Sequence, residues 1–364
     1  MGFDPELPYN DLPDLWPERV PLRSPETVAL LVKAHRVLAE LKGSVRQLPN
    51  PELLLNAIVL QEGKDSSEIE NIVTTQDDLY RAAALRSDQN RSGPAKEVLR
   101  YREAVSIGLA ELRKENLITT NTLVKIAQTI KANNAGIRKV PVVIADPASD
   151  QIFYTPPDGE KLIRDKLRSL EEFINLNSDL DPLIAMALIH YQFEAIHPFL
   201  DGNGRSGRIL NTLFLIQRNL LDSPVLYLSQ YILAHRTEYY RLLLGVTTNR
   251  DWLEWIHFIL AAIESTARIT LELVSDITFL MDEVSRRARK EMSNGYSQEL
   301  MHAIFHNPYC KIQHLVDAGI ASRVTASKYL SELNRIGILE LNVVHRDKYF
   351  VNHGLLDLLS GIGK

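Results

Sequence analysis

Apolar residues recur along most of this chain with the spacing of an amphipathic helix. The clearest of these stretches are residues 25–41, 51–60, 96–113, 252–267 and 269–290. The run from Leu183 to Ile196 is apolar on nearly every side, which predicts a helix buried at the centre of a domain. Asp181 and Pro182 precede this run as an N-cap and a first helical residue. The pattern predicts a mainly α-helical fold.

Two regions depart from the helical pattern. Residues 138–154 place β-branched and aromatic side chains on both sides of a turn-forming run, which predicts a β-hairpin. Residues 298–336 carry three helical patterns, and residues 339–351 carry two β-prone runs around a turn. Three helices followed by a hairpin predict a winged-helix-like domain.

We therefore expect an N-terminal helical region, a helical core with the hairpin, and a winged-helix-like C-terminal domain. Their expected bounds are 1–112, 113–275 and 276–364. Residues 1–24 contain many prolines and are expected to form an extended arm, and residues 87–94 are expected to form a turn-rich linker.

The composition is that of an ordinary globular protein, with a net charge of −5 and a single cysteine, Cys310. A negative net charge argues against general binding to polyanions. Residues 281–350 hold ten Lys and Arg against eight Asp and Glu, a weak electrostatic footprint for DNA. No apolar run reaches membrane-spanning length and no export signal is visible, so we expect a cytoplasmic protein.

Residues 197–208 read His-Pro-Phe-Leu-Asp-Gly-Asn-Gly-Arg-Ser-Gly-Arg. Pro198 disfavours helical geometry at His197, so the apolar helix is expected to end there. Gly202 and Gly204 bracket Asn203, and this spacing allows a sharp turn that points successive backbone N–H groups inward. Such a nest, followed by a helix N-terminus, binds anions.

The charged residues of this stretch suit a polyphosphate. Arg205 and Arg208 lie at i and i+3 and reach the same side of the following helix. Asp201 offers a hard oxygen for Mg²⁺ shared with phosphates. His197 is the one side chain of the stretch able to act as a base near neutral pH. The combination indicates a site of nucleotide-phosphate transfer.

The stretch matches HPFxDGNGRxxR at every fixed position and resembles the signature of the Fic (filamentation induced by cAMP) family. The resemblance implies a protein adenylyltransferase that transfers AMP from ATP to a protein Ser, Thr or Tyr hydroxyl and releases diphosphate. By position, His197 resembles the base and Asp201 the Mg²⁺ ligand. The implied phosphate contacts are Gly202, Asn203 and Gly204 for the α-phosphate, Arg205 for the α/β region and Arg208 for the γ-phosphate.

An earlier segment resembles the inhibitory motif of the same family. Ser66, Glu70 and Asn71 match Ser or Thr, three residues, Glu, and Gly or Asn. The resemblance implies an inhibitory helix at about 64–72 whose Glu70 pairs with Arg208 and displaces the γ-phosphate. A simpler alternative is a capping box of Ser67 and Glu70 that starts a helix.

Two further segments resemble family elements. Residues 227–240 resemble the segment that closes over adenine, so Tyr231 is a candidate contact to the base, although many relatives carry Asn where this chain has His235. The hairpin at 138–154 resembles the flap that holds the target by β-addition. The flap and the core helices are the elements of a Fic-type fold.

Three functions remain open at the level of sequence. The first is AMP transfer to a protein, including self-modification; the second is AMP removal, with Glu70 aligning a water molecule. The third is a transcription regulator in which the core senses nucleotide and the winged helix binds DNA. A homodimer is an open partner, and no membrane association is expected.

Overall fold

A computed structural model of the chain describes residues 3–15, 24–46, 51–84, 93–145, 149–176, 180–292, 295–344 and 347–360. Most of the linker predicted at 87–94 therefore lies outside the described residues, as does the turn of the hairpin at 146–148. None of the helices in these ranges combines the length and apolar character needed to cross a membrane.

The prediction of a mainly α-helical fold is confirmed. The helices are α1 Pro25–Arg46, α2 Pro51–Ile69, α3 Gln76–Ala84, α4 Pro94–Glu115, α5 Thr120–Lys131, α6 Glu160–Asn175, α7 Pro182–Ile196, α8 Asn203–Gln217, α9 Leu228–Ala234, α10 Arg236–Asn249, α11 Trp252–Glu291, α12 Gln298–His306, α13 Ile312–Asp317, α14 Arg323–Arg335 and α15 His353–Ser360. The strands are β1 Ile144–Ala145, β2 Ile152–Tyr154, β3 Tyr309–Cys310, β4 Glu340–Val344 and β5 Asp347–Val351.

Helices α7 and α8 form the centre of the core. Nearly every residue of α7 is buried, as its all-round apolar sequence predicts. The Asp181 carboxylate accepts the Leu183 N–H at 2.9 Å and caps the helix, while Pro182 occupies its first turn. Most of α8 is buried as well, including both of its arginines. The loop between these two helices is therefore held from both sides by the core.

The expectation of two helices at 252–267 and 269–290 is wrong, because α11 is one helix of 40 residues. The intervening sequence contains neither glycine nor proline, so nothing interrupts the backbone hydrogen bonds. One end of α11 is fixed in the core, where the Trp255 indole N–H donates to the Ala187 carbonyl at 2.8 Å. The expected domain boundary at residues 275 and 276 falls inside this helix.

The inhibitory helix was expected at about 64–72, and these bounds are wrong. Helix α2 continues from Pro51 to Ile69, so Ser66 lies in its last turn and Glu70 follows its end. The capping-box alternative fails for the same reason, since no helix starts at Ser67. No proline breaks α2 after its first position, and helical hydrogen bonding therefore continues past the local capping signal.

The hairpin forms, with β1 and β2 antiparallel and Ile144 opposite Tyr154. Its paired region is shorter than the predicted β-prone run. The N-terminal arm packs on its base: the Tyr9 N–H donates to the Thr155 carbonyl at 2.9 Å, and Phe3 stacks on Tyr154. The Tyr154 hydroxyl in turn donates to the Ala195 carbonyl of α7 at 2.8 Å. The arm thus fastens the hairpin next to the central loop.

The C-terminal region contains the three expected helices and the expected hairpin. A short strand, β3, was not predicted, and it joins β4 and β5 in an antiparallel sheet of order β3-β5-β4. This region also contacts the N-terminal helices, since the Gln76 side chain donates to the Leu359 carbonyl at 3.2 Å. The only cysteine in the sequence, Cys310, is buried in β3 and carries a free thiol.

Candidate functional site

Hydrogen bonds among its own residues hold the loop between α7 and α8 in one conformation. His197 ends α7 in the left-handed region with φ 48°, and its N–H donates to the Phe193 carbonyl at 3.0 Å. The Asn203 amide accepts the Phe199 N–H and donates to the Phe199 carbonyl, both at 2.8 Å. Gly202, with φ 85°, then begins α8. The expected end of α7 is confirmed, and the Asn203 side chain is occupied in bracing the loop.

His197 is set up to accept a proton. Its Nδ1 donates to the Glu194 carbonyl at 3.3 Å, which leaves Nε2 as the atom able to take up a proton. Burial lowers the pKa of His197 to about 4, so the ring is neutral at physiological pH. A neutral imidazole with a fixed tautomer is the form that a general base requires.

Arg208 is buried and fully engaged by the end of α2. Its Nε donates to the Ser66 hydroxyl, and its Nη2 donates both to the Ser66 carbonyl and to the Glu70 carboxylate, all at 2.8 Å. The contact joins residues far apart in sequence, as the inhibitory motif implied. A carboxylate therefore occupies a guanidinium whose fork of donors also suits a phosphate.

Arg205 is held by two carboxylates, of which that of Glu97 was not predicted from the sequence. Its Nη1 donates to the Glu97 carboxylate of α4 at 2.8 Å, and its Nη2 donates to Asp201 at 3.4 Å. Its Nε is buried without a hydrogen-bond partner among the described residues. An unpaired donor on a buried guanidinium is suited to a phosphate oxygen.

Asp201 suits a Mg²⁺ ion that takes most of its ligands from phosphates and water. Its side chain is 58% exposed and lies 2.5 Å from the Lys131 ammonium. Although partial burial opposes it, the hydrogen bond from Lys131 leads the effects that lower the pKa of Asp201, so the carboxylate is ionised. The described residues contain no group of three or more His, Cys, Asp or Glu able to hold a metal by themselves. A single carboxylate beside an anion nest fits Mg²⁺ bound together with a nucleotide.

Two glycines of α8 make room for carboxylates. A Cβ atom at Gly204 would lie 2.3 Å from the Glu70 Oε1 and 3.0 Å from the Arg208 Nη1. A Cβ atom at Gly207 would lie 2.4 Å from the Glu194 Oε1. This Oε1 of Glu194 is buried without a hydrogen-bond partner in the described part of the chain. Because Gly204 and Gly207 carry no side chains, the surface of α8 beside Arg208 leaves room for the carboxyl oxygens of Glu70 and Glu194.

Arg138, which the sequence analysis missed, joins the hairpin to the central loop. Its guanidinium donates to the carbonyls of His197 at 2.8 Å and of Val140 at 3.1 Å, and also to the carbonyl of Pro157. Its own N–H donates to the Pro198 carbonyl at 2.9 Å. A buried arginine that satisfies several carbonyls fixes the position of the His197 backbone.

Helix α10 contributes two further side chains near these residues. Arg236 donates to the Asn71 side chain at 3.1 Å, and the Tyr239 hydroxyl lies 2.9 Å from the ring of His190. The predicted base contact, Tyr231, stacks on His235 with the ring centroids 4.1 Å apart. His235 thus packs on Tyr231, and the adenine-binding role of Tyr231 stays a prediction.

The structure brings together most of the residues predicted from sequence. These are His197, Asp201, Gly202, Asn203, Gly204, Arg205 and Arg208 in one loop and helix, with Ser66 and Glu70 bound to Arg208 from the end of α2. The third predicted inhibitory residue, Asn71, is exposed and contacts Arg236 of α10. The residues missed were Glu62, Asp65, Glu97, Lys131, Arg138, Arg236 and Tyr239. Their partners are distant in sequence, and no local pattern distinguishes them from ordinary surface or core residues.

Family models match three parts of the chain. The N-terminal model of the Fic/DOC family matches residues 28–110, and the Fic/DOC family model matches residues 117–215. The model of the C-terminal domain of SoFic-like protein adenylyltransferases matches residues 280–355. Together they cover well over half of the chain.

Individual relatives agree with these matches. A protein adenylyltransferase Fic from Drosophila willistoni is 31% identical over 123 residues, which is 33% of this chain and 23% of that protein. A probable protein adenylyltransferase from Aquifex aeolicus is 32% identical over 83 residues, 23% of this chain and 26% of that protein. The chain therefore spans about a quarter of the length of these curated relatives.

The fold is also shared with a solved structure. The crystal structure of a Fic family protein from Desulfovibrio desulfuricans G20 superposes with a TM-score of 0.58 at 18% identity, over 90% of this chain and 96% of that one. The complete HPFxDGNGRxxR loop lies within the matched range 117–215, and the matched ranges 28–110 and 280–355 precede and follow it. The chain belongs to the Fic/DOC family.

Proposed function

We propose that this protein is an adenylyltransferase that transfers AMP from ATP to the hydroxyl of a protein Ser, Thr or Tyr, and that Glu70 inhibits it. The observation that carries the proposal is the arrangement around α8, where a neutral His197 lies beside two buried arginines and an anion nest. The names of the curated relatives support the same activity.

In this mechanism the chain positions the phosphates and removes one proton. His197 Nε2 accepts the proton of the target hydroxyl, whose oxygen forms a bond to the α-phosphorus of ATP. The bond between that phosphorus and the bridging oxygen to the β-phosphate breaks, and diphosphate leaves with the electron pair.

Arg205 and Arg208 neutralise the charge that develops on the leaving diphosphate, and the first backbone N–H groups of α8 bind the α-phosphate. Asp201 would hold Mg²⁺, which shields charge on the phosphates when it is bound.

Inhibition follows from competition for Arg208. While the Glu70 carboxylate occupies the guanidinium, a γ-phosphate meets a negative charge where it needs a donor. The space above Gly204 holds that carboxylate, so the same space becomes free when Glu70 moves. ATP then binds with its phosphates in the transferring position.

The hairpin and the C-terminal region have roles in binding partners. The exposed side chains of Phe153 and Val143 and the short edge of β1 suit a target segment added as a strand. The element order of residues 298–351, with its sheet of order β3-β5-β4, supports a winged-helix-like domain. DNA binding by this domain is the less favoured alternative, because its charge is nearly balanced.

AMP removal is a second candidate, favoured by the position of Glu70 near the phosphate-binding arginine, where it can align a water molecule. A nucleotide-sensing transcription regulator is a third, and the intact base His197 argues against it. Self-modification, homodimer formation and a cytoplasmic location accompany the first proposal.

The test is the intact mass of the protein after incubation with ATP and Mg²⁺, with and without a mixture of protein targets. Glu70→Gly is expected to gain AMP strongly, the wild type weakly, and the double variant Glu70→Gly with His197→Ala not at all. AMP release from a modified protein by the wild type would support removal instead. If no variant transfers AMP to itself or to any target, the proposal is wrong.

A further inference from the structure

Helix α9 lacks a cap of its own. Tyr227 is its N-cap residue and makes no side-chain capping bond, so the first backbone N–H groups of the helix depend on outside acceptors. Glu62 of α2 supplies one. Its Oε2 accepts the Ser229 N–H at 3.0 Å, and its Oε1 accepts the Ser229 hydroxyl at 2.6 Å. A carboxylate at a helix N-terminus also complements the helix dipole.

Asp65, one turn further along α2, holds the residue before α9. Its carboxylate accepts the hydroxyl of Tyr227. Glu62 is 6% exposed and Asp65 is 5% exposed, so both residues are buried. Burying two carboxylates is costly unless each is fully hydrogen-bonded, and here the start of α9 provides donors. The contact between α2 and α9 is therefore specific rather than incidental packing.

The same helix carries the inhibitory contact. Ser66 lies one residue after Asp65 and holds Arg208, while Glu70 reaches Arg208 from just beyond the end of α2. Helix α9 leads directly into α10, whose Arg236 binds Asn71 across the site. Helix α2 thus supports α9 and also leads into the residue, Glu70, that occupies Arg208.

These two tasks conflict if α2 leaves as a whole. Its departure would free Arg208 from Glu70, but it would also remove the cap of α9 and leave the buried donors of Ser229 unpaired. It would further remove Ser66, which binds Arg208 through two of the three contacts. Release confined to Glu70 avoids every one of these losses. Asn71, with φ 62°, already turns the chain away immediately after Glu70.

We propose that Glu62 and Asp65 are positioning residues that hold α9 in place for binding the base of the nucleotide, and that α2 stays docked while only the turn after Ile69 yields. This inference rests on the proposed function and on the predicted contact of Tyr231, a residue of α9, with the base of ATP. It adds two residues to the site and defines which part of the inhibitory helix moves.

The first experiment compares the binding of ATP and of inorganic triphosphate, each with Mg²⁺, by calorimetry in a background of Glu70→Gly with His197→Ala, which lacks the proposed base. Adding Glu62→Gln is expected to raise the Kd for ATP about tenfold, since a glutamine amide offers Ser229 one acceptor oxygen where the Glu62 carboxyl group offers two, and to leave the Kd for triphosphate unchanged. Ser229→Ala should also raise the Kd for ATP, but by a smaller factor. Glu68→Gln is the matched control, because Glu68 is on α2 but pairs with Lys64 and not with α9.

Equal weakening of ATP and triphosphate would overturn the positioning role, and so would no change in either. Because this background carries His197→Ala, binding is measured without turnover. If it binds ATP while the Glu70→Gly protein transfers no AMP, the proposed function is refuted and this inference stands.

The second experiment needs no variant at Glu62. Amide hydrogen exchange is followed in the Glu70→Gly protein and in the wild type, with and without ATP and Mg²⁺. Protection is expected to stay high at residues 58–66 in every state and to fall only at residues 68–73 when ATP binds. Loss of protection along residues 58–66 would show that α2 leaves as a unit and would overturn the inference.

Discussion

A methyl group at position 204 is predicted to destabilise the protein only while Glu70 is present. Alanine in the interior of a helix is more favourable than glycine by about 1 kcal/mol. The new Cβ atom of Gly204→Ala would nevertheless lie 2.3 Å from the Glu70 Oε1, a distance that forces the carboxylate away from Arg208. The lost charge-assisted hydrogen bond is worth about 1.5–3 kcal/mol. The single variant should therefore lose about 0.5–2 kcal/mol of stability.

Denaturant unfolding of four proteins measures this effect: wild type, Gly204→Ala, Glu70→Gly and the double variant. In the Glu70→Gly background the 2.3 Å contact is absent, and the remaining 3.0 Å approach to the Arg208 Nη1 is relieved by a small shift of the guanidinium end, so the alanine should stabilise by about 1 kcal/mol. The coupling energy should then be about 1.5–3 kcal/mol. Gly207→Ala is the matched control, because its Cβ would meet Glu194 at 2.4 Å, and its cost should be equal in both backgrounds. If Gly204→Ala also costs the same in both, Glu70 does not lie over Gly204.

Three further predictions concern residues found only in the structure. Glu97→Gln in the Glu70→Gly background should lower the Kd for ATP about threefold to tenfold, because the carboxylate competes for Arg205; a higher Kd would show that Glu97 holds Arg205 in place. Arg138→Ala should lower the free energy of unfolding by about 2–4 kcal/mol, since it leaves buried carbonyl oxygens unpaired; a loss below about 1 kcal/mol in urea unfolding would contradict this role. Burial raises the pKa of Glu194 to about 8 from 4.5, so the folded state keeps a proton that the unfolded chain releases. Stability should therefore fall by a few kcal/mol as the pH rises from about 5 to 8, and Glu194→Gln should lose less, as unfolding at several pH values would show.

The features predicted correctly from sequence are those that short stretches encode. Asp181 and Pro182 mark the start of α7, and the proline after His197 marks its end. The motif residues are contiguous, so their convergence in one loop needed no tertiary information. The resemblance to the Fic family supplied Glu70 as a partner of Arg208, which lies 138 residues further along the chain.

Two kinds of feature were not predicted from the sequence. One is contact between residues that are distant in the chain, and the other is the continuation of a helix that no residue interrupts. Glu97 and Arg205 are separated by 108 residues, and a glutamate near the start of a helix is ordinarily a solvated residue. The false helix start at Ser67 arose because a capping box is a local signal, whereas helix continuation from Pro51 is cooperative. The same cooperativity joins residues 252–291 into one helix.

Because helix α11 is continuous, its length sets both the rotation and the distance of the C-terminal region relative to the core. Its 40 residues span about 60 Å at the rise of an α-helix, from a tryptophan in the core to the start of the C-terminal region. Insertion of one residue midway would turn that region by about 100° around the helix axis and move it by about 1.5 Å. Insertion of seven residues, close to two full turns, would nearly restore its rotational setting but shift it by about 10 Å. The docking of α15 and β3 on the N-terminal helices therefore constrains the number of residues in α11 as well as their identity.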